Sequence, residues 1–513
     1  MESNGLNFMN GESELRDTES QLEVLIDKAE EGDLKSMNDL GRMYFSGEMV
    51  EQDYEKAIEL YTQAAEKGYS PAQCNLGFCY FRGIGVEQDI KKAAKWFKKA
   101  ADQGNMRAMT NLGYCLIKGI GVSESDKKAA RLFETAAEAG LVEAQNCIGM
   151  CYYYGYGVKQ NYTKAVEWYE KAAQVGYAES QNGLGVCYEK GQGVEEDIAQ
   201  AIHWYELAAA QNNARAQSNL GFCYYNGNGV AKDYKKAVEL YTLAAEQGNA
   251  RAQSNLGVCY GFGLGVPFDQ EKAVYWYRKS AEQGFAAGQC NLGFCYEKGN
   301  GVEQNYKEAV HWYELAAAQD NPRAQSNLGI CYFNGYGVEQ NYEKAFHWYQ
   351  KAAAQGNSGA QCNLGICYEK GKGTSQNYEK AALWYQKAAD QGSVDAQCNL
   401  GFCYEKGHGV EQNYEKAFEL FTLAANRGYV DAQCKLGFSY ERGLGVAKDY
   451  TKAIEWYEKA AKAGSVDAQA YLGVCYEKGY GGNKDLEKAK QYYASAASQG
   501  HQKAAAALAR LGG

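Results

Sequence analysis

Proline is almost absent from this 513-residue sequence, which contains three prolines and five histidines. An average protein contains about 5% proline. Because proline interrupts helices, its scarcity favours a long helical protein whose turns are made by another residue. Glycine, which occurs 59 times, is the obvious turn residue.

Long apolar runs are also missing, since no stretch approaches the ~18 residues that a membrane-spanning helix needs. The N-terminal residues, MESNGLNFMNGESELRD, lack the basic and then apolar order of a secretory leader. The net charge is −10, and lysines and arginines are spread among acidic residues rather than concentrated. We therefore expect no membrane insertion, no leader and no nucleic-acid partner.

What the sequence does contain is a repeat. With Lys35 as position 1, thirteen units of 36 residues follow without insertion or deletion. We predict a disordered N-terminus over 1–14, a capping helix over 15–34, thirteen repeats over 35–502 and a C-terminal capping helix over 503–513. Terminal units that differ from the rest are typical of arrays in which each unit packs only on its neighbours.

Each unit has the pattern of two helices. Position 6 is always Leu or Ile and position 10 is Tyr in twelve units, which places both on one face of a first helix. Positions 23, 27 and 31 are Ala, an aromatic residue and Ala in every unit, and form the apolar stripe of a second helix. The fold predicted from these patterns is all-α, a tandem array of helix pairs.

Glycine and capping residues mark the ends of the helices. Position 19 is Asp or Asn in twelve units and Ser125 in the remaining one, and we expect all thirteen to cap second helices. Position 34 is Gly except at Asn212 and Asp320, which predicts a left-handed residue there. Position 7 is Gly in every unit, in the middle of a first helix. Because glycine costs up to ~1 kcal/mol there, a neighbouring helix must approach closely.

The motif "AQ…NLG..Y..G.GV..D/NY.KA..WY.KAA..G" resembles the Sel1-like repeat, a relative of the tetratricopeptide repeat, over residues 17–511. The resemblance implies an α/α solenoid, a right-handed superhelix of antiparallel helix pairs. It also implies an adaptor role, because known members serve in quality-control complexes, as activators of cell-wall synthases, or in bacterial signalling and host interaction.

Seventeen cysteines occupy first helices only: eleven at position 9, five at position 4 and Cys147 at position 5. Two cysteines five residues apart on a helix have Cα atoms about 8 to 9 Å apart, whereas a disulfide needs less than ~7 Å. We therefore expect free thiols and a reducing, cytoplasmic compartment. One branch of the similar family has a bridge between the helices of a unit, but this chain lacks the second-helix cysteine. No Cys/His cluster predicts a metal, and no motif predicts a cofactor.

Position 5 is the strongest candidate for binding. It is Asn in eight units, and Asn is a mediocre helix former. Beside it, position 8 is often apolar. Candidate peptide-binding residues are Asn75, Asn111, Asn219, Asn255, Asn291, Asn327, Asn363, Asn399, Phe222, Phe294 and Phe402. These amides either bind the backbone of an extended peptide or bond between neighbouring helices of the array.

A second candidate is an aromatic patch at the turn between the helices of a unit. It comprises Tyr153, Tyr154, Tyr156, Tyr225, Phe333 and Tyr336. Exposed aromatic side chains favour contact with a partner, and the alternative is that they pack against the next turn.

The sequence thus predicts a non-enzymatic scaffold or adaptor that binds proteins or peptides, for example within a signalling or quality-control complex. One alternative is a secreted or envelope-associated host-interaction factor. A second is a hydrolase of the cysteine-rich type, because part of the similar family is linked to β-lactam hydrolysis and Ser125–Lys128 has SxxK spacing. The SDN and KTG partners of that motif are absent, and Ser125 falls at a helix start.

Overall fold

A computed structural model of the chain describes residues 21–512. The predicted disordered segment 1–14 and the start of the predicted capping helix lie outside the described residues. The chain divides into two compact units, which end and begin at Asn249 and Ala250. Within the described residues every regular element is a helix, and none is a strand.

Residues 21–249 of the N-terminal unit form thirteen helices. They are α1 (21–30), α2 (Leu34–Ser46), α3 (Tyr54–Glu66), α4 (Ser70–Arg82), α5 (Ile90–Asp102), α6 (Met106–Lys118), α7 (Asp126–Glu138), α8 (Val142–Tyr154), α9 (Tyr162–Gln174), α10 (Ala178–Lys190), α11 (Ile198–Ala210), α12 (Ala214–Asn226) and α13 (Tyr234–Glu246).

The C-terminal unit contains fifteen helices. They are α14 (Ala250–Phe262), α15 (Gln270–Glu282), α16 (Ala286–Lys298), α17 (Tyr306–Ala318), α18 (Pro322–Asn334), α19 (Tyr342–Ala354), α20 (Ser358–Lys370), α21 (Tyr378–Asp390), α22 (Val394–Lys406), α23 (Tyr414–Asn426), α24 (Val430–Arg442), α25 (Tyr450–Lys462), α26 (Val466–Lys478), α27 (Leu486–Ser498) and α28 (Gln502–Arg510).

Thirteen helix pairs follow one another along the chain. The even-numbered helices α2 to α26 are called first helices here, and the odd-numbered helices α3 to α27 second helices. Each second helix packs on the first helix of its own pair and, within each compact unit, on the first helix of the next. The tandem array of helix pairs predicted from the repeat is therefore confirmed. At one end, Leu22, Leu25 and Ile26 of α1 pack on the first pair, and at the other α28 packs on α27.

The helix ends follow the capping pattern with one exception. In twelve second helices the Asp or Asn at position 19 accepts a backbone N–H of the first turn, as Asp53 does from Lys56 at 3.0 Å. Ser125 stands at the same point, but its side chain makes no capping bond, so that expectation was wrong for this repeat. Asn212 and Asp320 have φ of 63° and 58°, which confirms the left-handed residue predicted at position 34.

The glycine at position 7 is required by the ring at position 27 of the same pair. A Cβ atom on Gly185 would lie 2.6 Å from Tyr205 Cε1 and 3.1 Å from the carbonyl oxygen of Ala201. Real Cβ atoms do not approach so closely, and thus the close approach predicted from sequence is confirmed. The neighbouring helix is the second helix of the same pair. Around this contact the Leu, Ala and Tyr stripes form the buried core, as at Leu328 and Tyr313.

The described helices include none that is both long and apolar enough to cross a membrane.

Candidate functional site

The eight asparagines at position 5 are half-buried along the first helices. Several of their Nδ2 groups donate to the preceding first helix. Three of these bonds have an oxygen acceptor: Asn75 donates to Asn38 Oδ1 at 2.9 Å, Asn219 to Asn182 Oδ1 at 3.0 Å, and Asn291 to Ser254 Oγ at 3.3 Å. Each of these amides therefore links two repeats through its nitrogen and still presents part of its surface. This set of eight is called the asparagine column below.

Apolar side chains flank the asparagine column at position 8. Phe222, Phe294 and Phe402 are all half-buried. The Phe294 ring lies 5.4 Å from the Arg323 guanidinium, and Arg323 also donates to Asn291 Oδ1 at 3.1 Å. The Phe402 ring lies 4.8 Å from Lys435 Nζ. The first helices therefore carry a surface on which amides, aromatic rings and cations alternate.

The aromatic patch divides into a buried and an exposed part. Tyr153 is 9% exposed and donates its hydroxyl to Gln192 Oε1 at 2.5 Å, so this ring belongs to the core. Tyr154 and Tyr156 are 57% and 40% exposed, and their rings stack with centroids 5.4 Å apart. These two rings line a cavity of about 420 Å³ with Tyr114, Met150 and Arg215.

The other members of the patch pack on neighbouring rings. Tyr225 lies 5.3 Å from Tyr234, Phe333 lies 5.1 Å from Tyr342, and Tyr336 stacks on Tyr306 at 5.1 Å. Tyr336 is nevertheless 42% exposed. Packing against a nearby turn and exposure to a partner are thus combined in this residue.

A glutamine ladder, which was not predicted from the sequence, connects the start of a first helix with the end of the second helix of the same repeat. In eight repeats the Gln at position 33 donates Nε2 to Oε1 of the buried Gln at position 3, for example Gln319 to Gln289 at 2.8 Å. Gln289 in turn donates to the carbonyl oxygen of Ala281 on the preceding second helix at 3.3 Å. The signal was present as Gln recurring at two positions 30 residues apart. The ladder satisfies buried polar groups and fixes one repeat on the next.

Buried carboxylates form a second network. Where position 11 is Glu and position 27 is Tyr, the hydroxyl donates to the carboxylate, as Tyr313 does to Glu297 at 2.7 Å. Burial, followed by the neighbouring Glu297 carboxylate, raises the pKa of Tyr313 far above its usual value. In the repeat with Phe421, the buried Glu405 is instead paired with Lys435 at 3.1 Å. These carboxylates are therefore held by the fold.

The surroundings of the cysteines are those of core residues. All seventeen are unbridged, and fifteen are buried. Burial raises the pKa of the Cys79 and Cys187 thiols to about 12. A thiol with such a pKa is protonated near neutral pH, and the protonated form is a poor nucleophile. In residues 21–512 no group of His, Cys, Asp and Glu side chains is placed to hold a metal ion.

Comparison with known protein families identifies the same repeat. The Sel1 repeat model matches thirteen consecutive segments: 34–69, 70–105, 107–141, 142–177, 178–213, 214–249, 250–285, 286–321, 322–357, 358–393, 394–429, 430–465 and 466–501. No curated protein matches the chain significantly.

Several solved structures are similar. The crystal structure of c5321, a protective antigen present in uropathogenic Escherichia coli strains and displaying an SLR fold, is 36% identical and covers 96% of both chains, with a TM-score of 0.59. A Sel1 repeat protein from Oxalobacter formigenes is 35% identical and covers 48% of this chain and 96% of its own, with a TM-score of 0.44. The APC/C hetero-tetramer Cut9-Hcn1 is 14% identical, covers 92% of this chain and 96% of its own with a TM-score of 0.52, and shares the fold alone.

Proposed function

Because this chain belongs to the Sel1 repeat family, we propose that it is a non-enzymatic scaffold or adaptor that binds proteins or peptides along its first helices. Solenoids built from such repeats generally serve as surfaces for protein–protein interaction. The observation that carries the proposal is the asparagine column, in which Asn75, Asn219 and Asn291 bond to the preceding first helix and all eight side chains remain half-exposed.

The chemistry of this surface suits an extended peptide. The Nδ2 group of Asn75 is used by Asn38, while among the described residues no donor reaches Asn75 Oδ1, which is free to accept a peptide N–H. Rings such as Phe402 offer apolar contact to the peptide side chains. Because Asn75, Asn219 and Asn291 are already fixed by bonds within the array, a ligand meets a preorganised surface at these positions, which lowers the entropic cost of binding.

We place the protein in the cytoplasm, in a signalling or quality-control complex. The support for this compartment is the set of seventeen unbridged cysteines, since free thiols persist where glutathione and thioredoxin keep them reduced.

Two matched sets of substitutions test the asparagine column. Asn75→Ala, Asn219→Ala and Asn291→Ala remove half-exposed amides together with their three Nδ2 bonds to the preceding first helix, and Asn291→Ala also removes the bond that Arg323 donates. The control set removes the acceptors of the same three bonds and leaves the exposed amides in place: Asn38→Ala, Asn182→Ala and Ser254→Ala.

We expect partners captured from native lysate by the wild type, quantified by mass spectrometry, to be lost with the first set and retained with the control set. Circular dichroism checks that both sets are equally helical. Equal retention by both sets would show that the asparagine column only holds the repeats together.

The likeness to c5321 supports a second candidate, a secreted or envelope-associated host-interaction factor. That protein is a protective antigen of uropathogenic Escherichia coli and aligns over 96% of both chains. Fractionation of the native source would decide between the two. Recovery with the envelope or the medium, with disulfides detected by mass spectrometry, would favour the second candidate over the first.

A further inference from the structure

The first three repeats differ from the last three in the charge of their first helices. Near the C-terminus, position 11 is Glu and nearby cations are paired with it, as Lys435 is with Glu405 at 3.1 Å and Arg442 with Glu441 at 3.5 Å. In the first two repeats position 11 is Phe45 or Phe81. Phe in place of Glu at position 11 removes a carboxylate and adds an apolar side chain to this surface.

As a result, three guanidinium groups near the N-terminus lack a carboxylate partner among residues 21–249. Arg42, Arg82 and Arg107 are all exposed. In the described part of the N-terminal unit, the ion pairs with a nitrogen–oxygen distance within 4.0 Å are Lys56–Asp53 and Lys92–Asp89, which include none of the three. One acidic residue, Asp39, lies on the same helix as Arg42 and accepts a bond from Asn38 at 3.3 Å. The local charge is therefore positive.

Two of these arginines line a cavity whose walls are mostly apolar. Arg42 and Arg107 line a space of about 220 Å³ together with Phe45, Phe78 and Asn75. Phe78 is 38% exposed, its ring meets Phe45 edge-on at 6.5 Å, and the Arg82 guanidinium lies 5.9 Å from it. A cavity of roughly 150 Å³ accommodates benzene, so this one accommodates a phenyl or isobutyl group.

We propose that this arginine-flanked pocket binds a peptide segment of a partner protein in which an aromatic or large aliphatic side chain is flanked by carboxylates. The apolar side chain enters the cavity and packs against Phe45 and Phe78, and the carboxylates pair with Arg42, Arg82 and Arg107. Guanidinium groups are well suited to carboxylates because they bind them in bidentate fashion. The inference rests on the proposed function, to which it adds the chemistry of the partner.

The test uses the full chain and a fluorescein-labelled synthetic peptide, GSDEFEDGS, followed by fluorescence anisotropy. Two companion peptides separate the contributions: GSDEGEDGS lacks the aromatic ring, and GSNQFQNGS lacks the carboxylates. We expect each companion to bind at least tenfold more weakly than the parent, and the parent to weaken as salt is raised. Equal binding of the parent and GSDEGEDGS would overturn the pocket in favour of a general polyanion surface.

Charge reversal in the protein provides the matched control. The double variant R42E/R107E should weaken the parent peptide by roughly tenfold or more, since hydrogen bonds between charged groups are involved. The double variant K95E/K98E changes the net charge equally at exposed positions of the second helix α5, and should change binding by less than about twofold. A similar loss in both variants would overturn the local assignment.

Two further outcomes are decisive. Residues 1–20 contain five carboxylates and Phe8. If Phe8→Gly tightened binding of the probe tenfold, the occupant would be this chain's own N-terminal segment and the proposal of a separate partner would fall. If partners are lost with the asparagine variants but GSDEFEDGS does not bind, the proposed function stands and this inference falls. If neither test detects binding, both fall.

Discussion

The substitution Ala463→Gln should stabilise the protein, because it completes the glutamine ladder at a repeat where one member is missing. Gln433 is buried and donates Nε2 to the carbonyl oxygen of Ala425 at 3.3 Å. Its Oε1 atom, however, has no hydrogen-bond partner. In eight other repeats the equivalent oxygen accepts from a Gln at position 33, and here that position is Ala463.

The backbone at residue 463 is already correct for the missing side chain. Ala463 has φ −84° and ψ 6°, and Gln355, which donates to Gln325 at 2.9 Å, has φ −85° and ψ 6°. Ala463 is exposed, so a longer side chain meets no core atoms in its own helix. A buried polar group without a partner costs about 1–3 kcal/mol. Ordering the new side chain costs up to about 2 kcal/mol. We therefore expect a net gain of about 1 kcal/mol.

Native-state hydrogen exchange measured by mass spectrometry is the appropriate assay, since long repeat arrays do not unfold in a single two-state step. A gain of 1 kcal/mol corresponds to roughly fivefold slower exchange in α24 and α25. Ala463→Glu is the control, because a carboxylate has the same length and cannot donate to Gln433 Oε1. Equal protection in the two variants would refute the idea that the ladder stabilises the junction between repeats.

Three other predictions concern the packing and the buried charges. Gly365→Ala should lower the hydrogen-exchange protection of α20 and α21 by about 1–2 kcal/mol, because its Cβ would lie 2.5 Å from Tyr385 Cε1. Gly359→Ala on the same helix is unobstructed and should raise protection by up to about 1 kcal/mol; a loss in both would contradict the ring contact. Lys435→Asn should cost about 1–3 kcal/mol of stability, because it leaves the buried Glu405 without its cation. Adding Phe421→Tyr should recover most of the loss, because other repeats pair the equivalent Glu with a Tyr hydroxyl; no recovery would mean that the introduced hydroxyl does not reach the Glu405 carboxylate. Burial raises the pKa of Cys79 to about 12, above the usual value near 8.5. The buried thiols therefore stabilise the fold fully below pH ~8.5, and this contribution is lost as the pH rises towards 12. The urea midpoint under reducing conditions should fall between pH 8 and pH 10, and a constant midpoint would contradict this contribution of the thiols.

The helix pairs could be predicted from sequence because the information lies within each helix. The stripes at Ala309, Tyr313 and Ala317 are spaced by four residues, and capping depends on residues three apart. The invariant glycine at position 7 also predicted a close approach. The ring responsible could not be named, because it lies 20 residues further along the chain, as Tyr205 does from Gly185.

Contacts between repeats were harder to predict. The asparagine column was recognised, but whether Asn75 served a ligand or a neighbouring helix was open, since its acceptor Asn38 is 37 residues away. That offset depends on how one helix pair is rotated on the next, which no local pattern encodes. Tyr153 illustrates the same limit. Its neighbour Tyr154 is exposed while Tyr153 reaches Gln192 in the following repeat.

The glutamine ladder has a consequence for how such a chain can change over time. Gln361 reaches back to Ala353 at 3.3 Å, and the equivalent atoms of the following repeat are Gln397 and Ala389. Excising residues 359–394 would bring Gln397 to the place of Gln361, facing Ala353, so the same pair of residue types would meet at the new junction. Recombination in multiples of 36 residues thus adds or removes whole repeats without creating a new type of junction between them. The number of repeats can therefore change during evolution, whereas the residues at each junction between repeats are constrained.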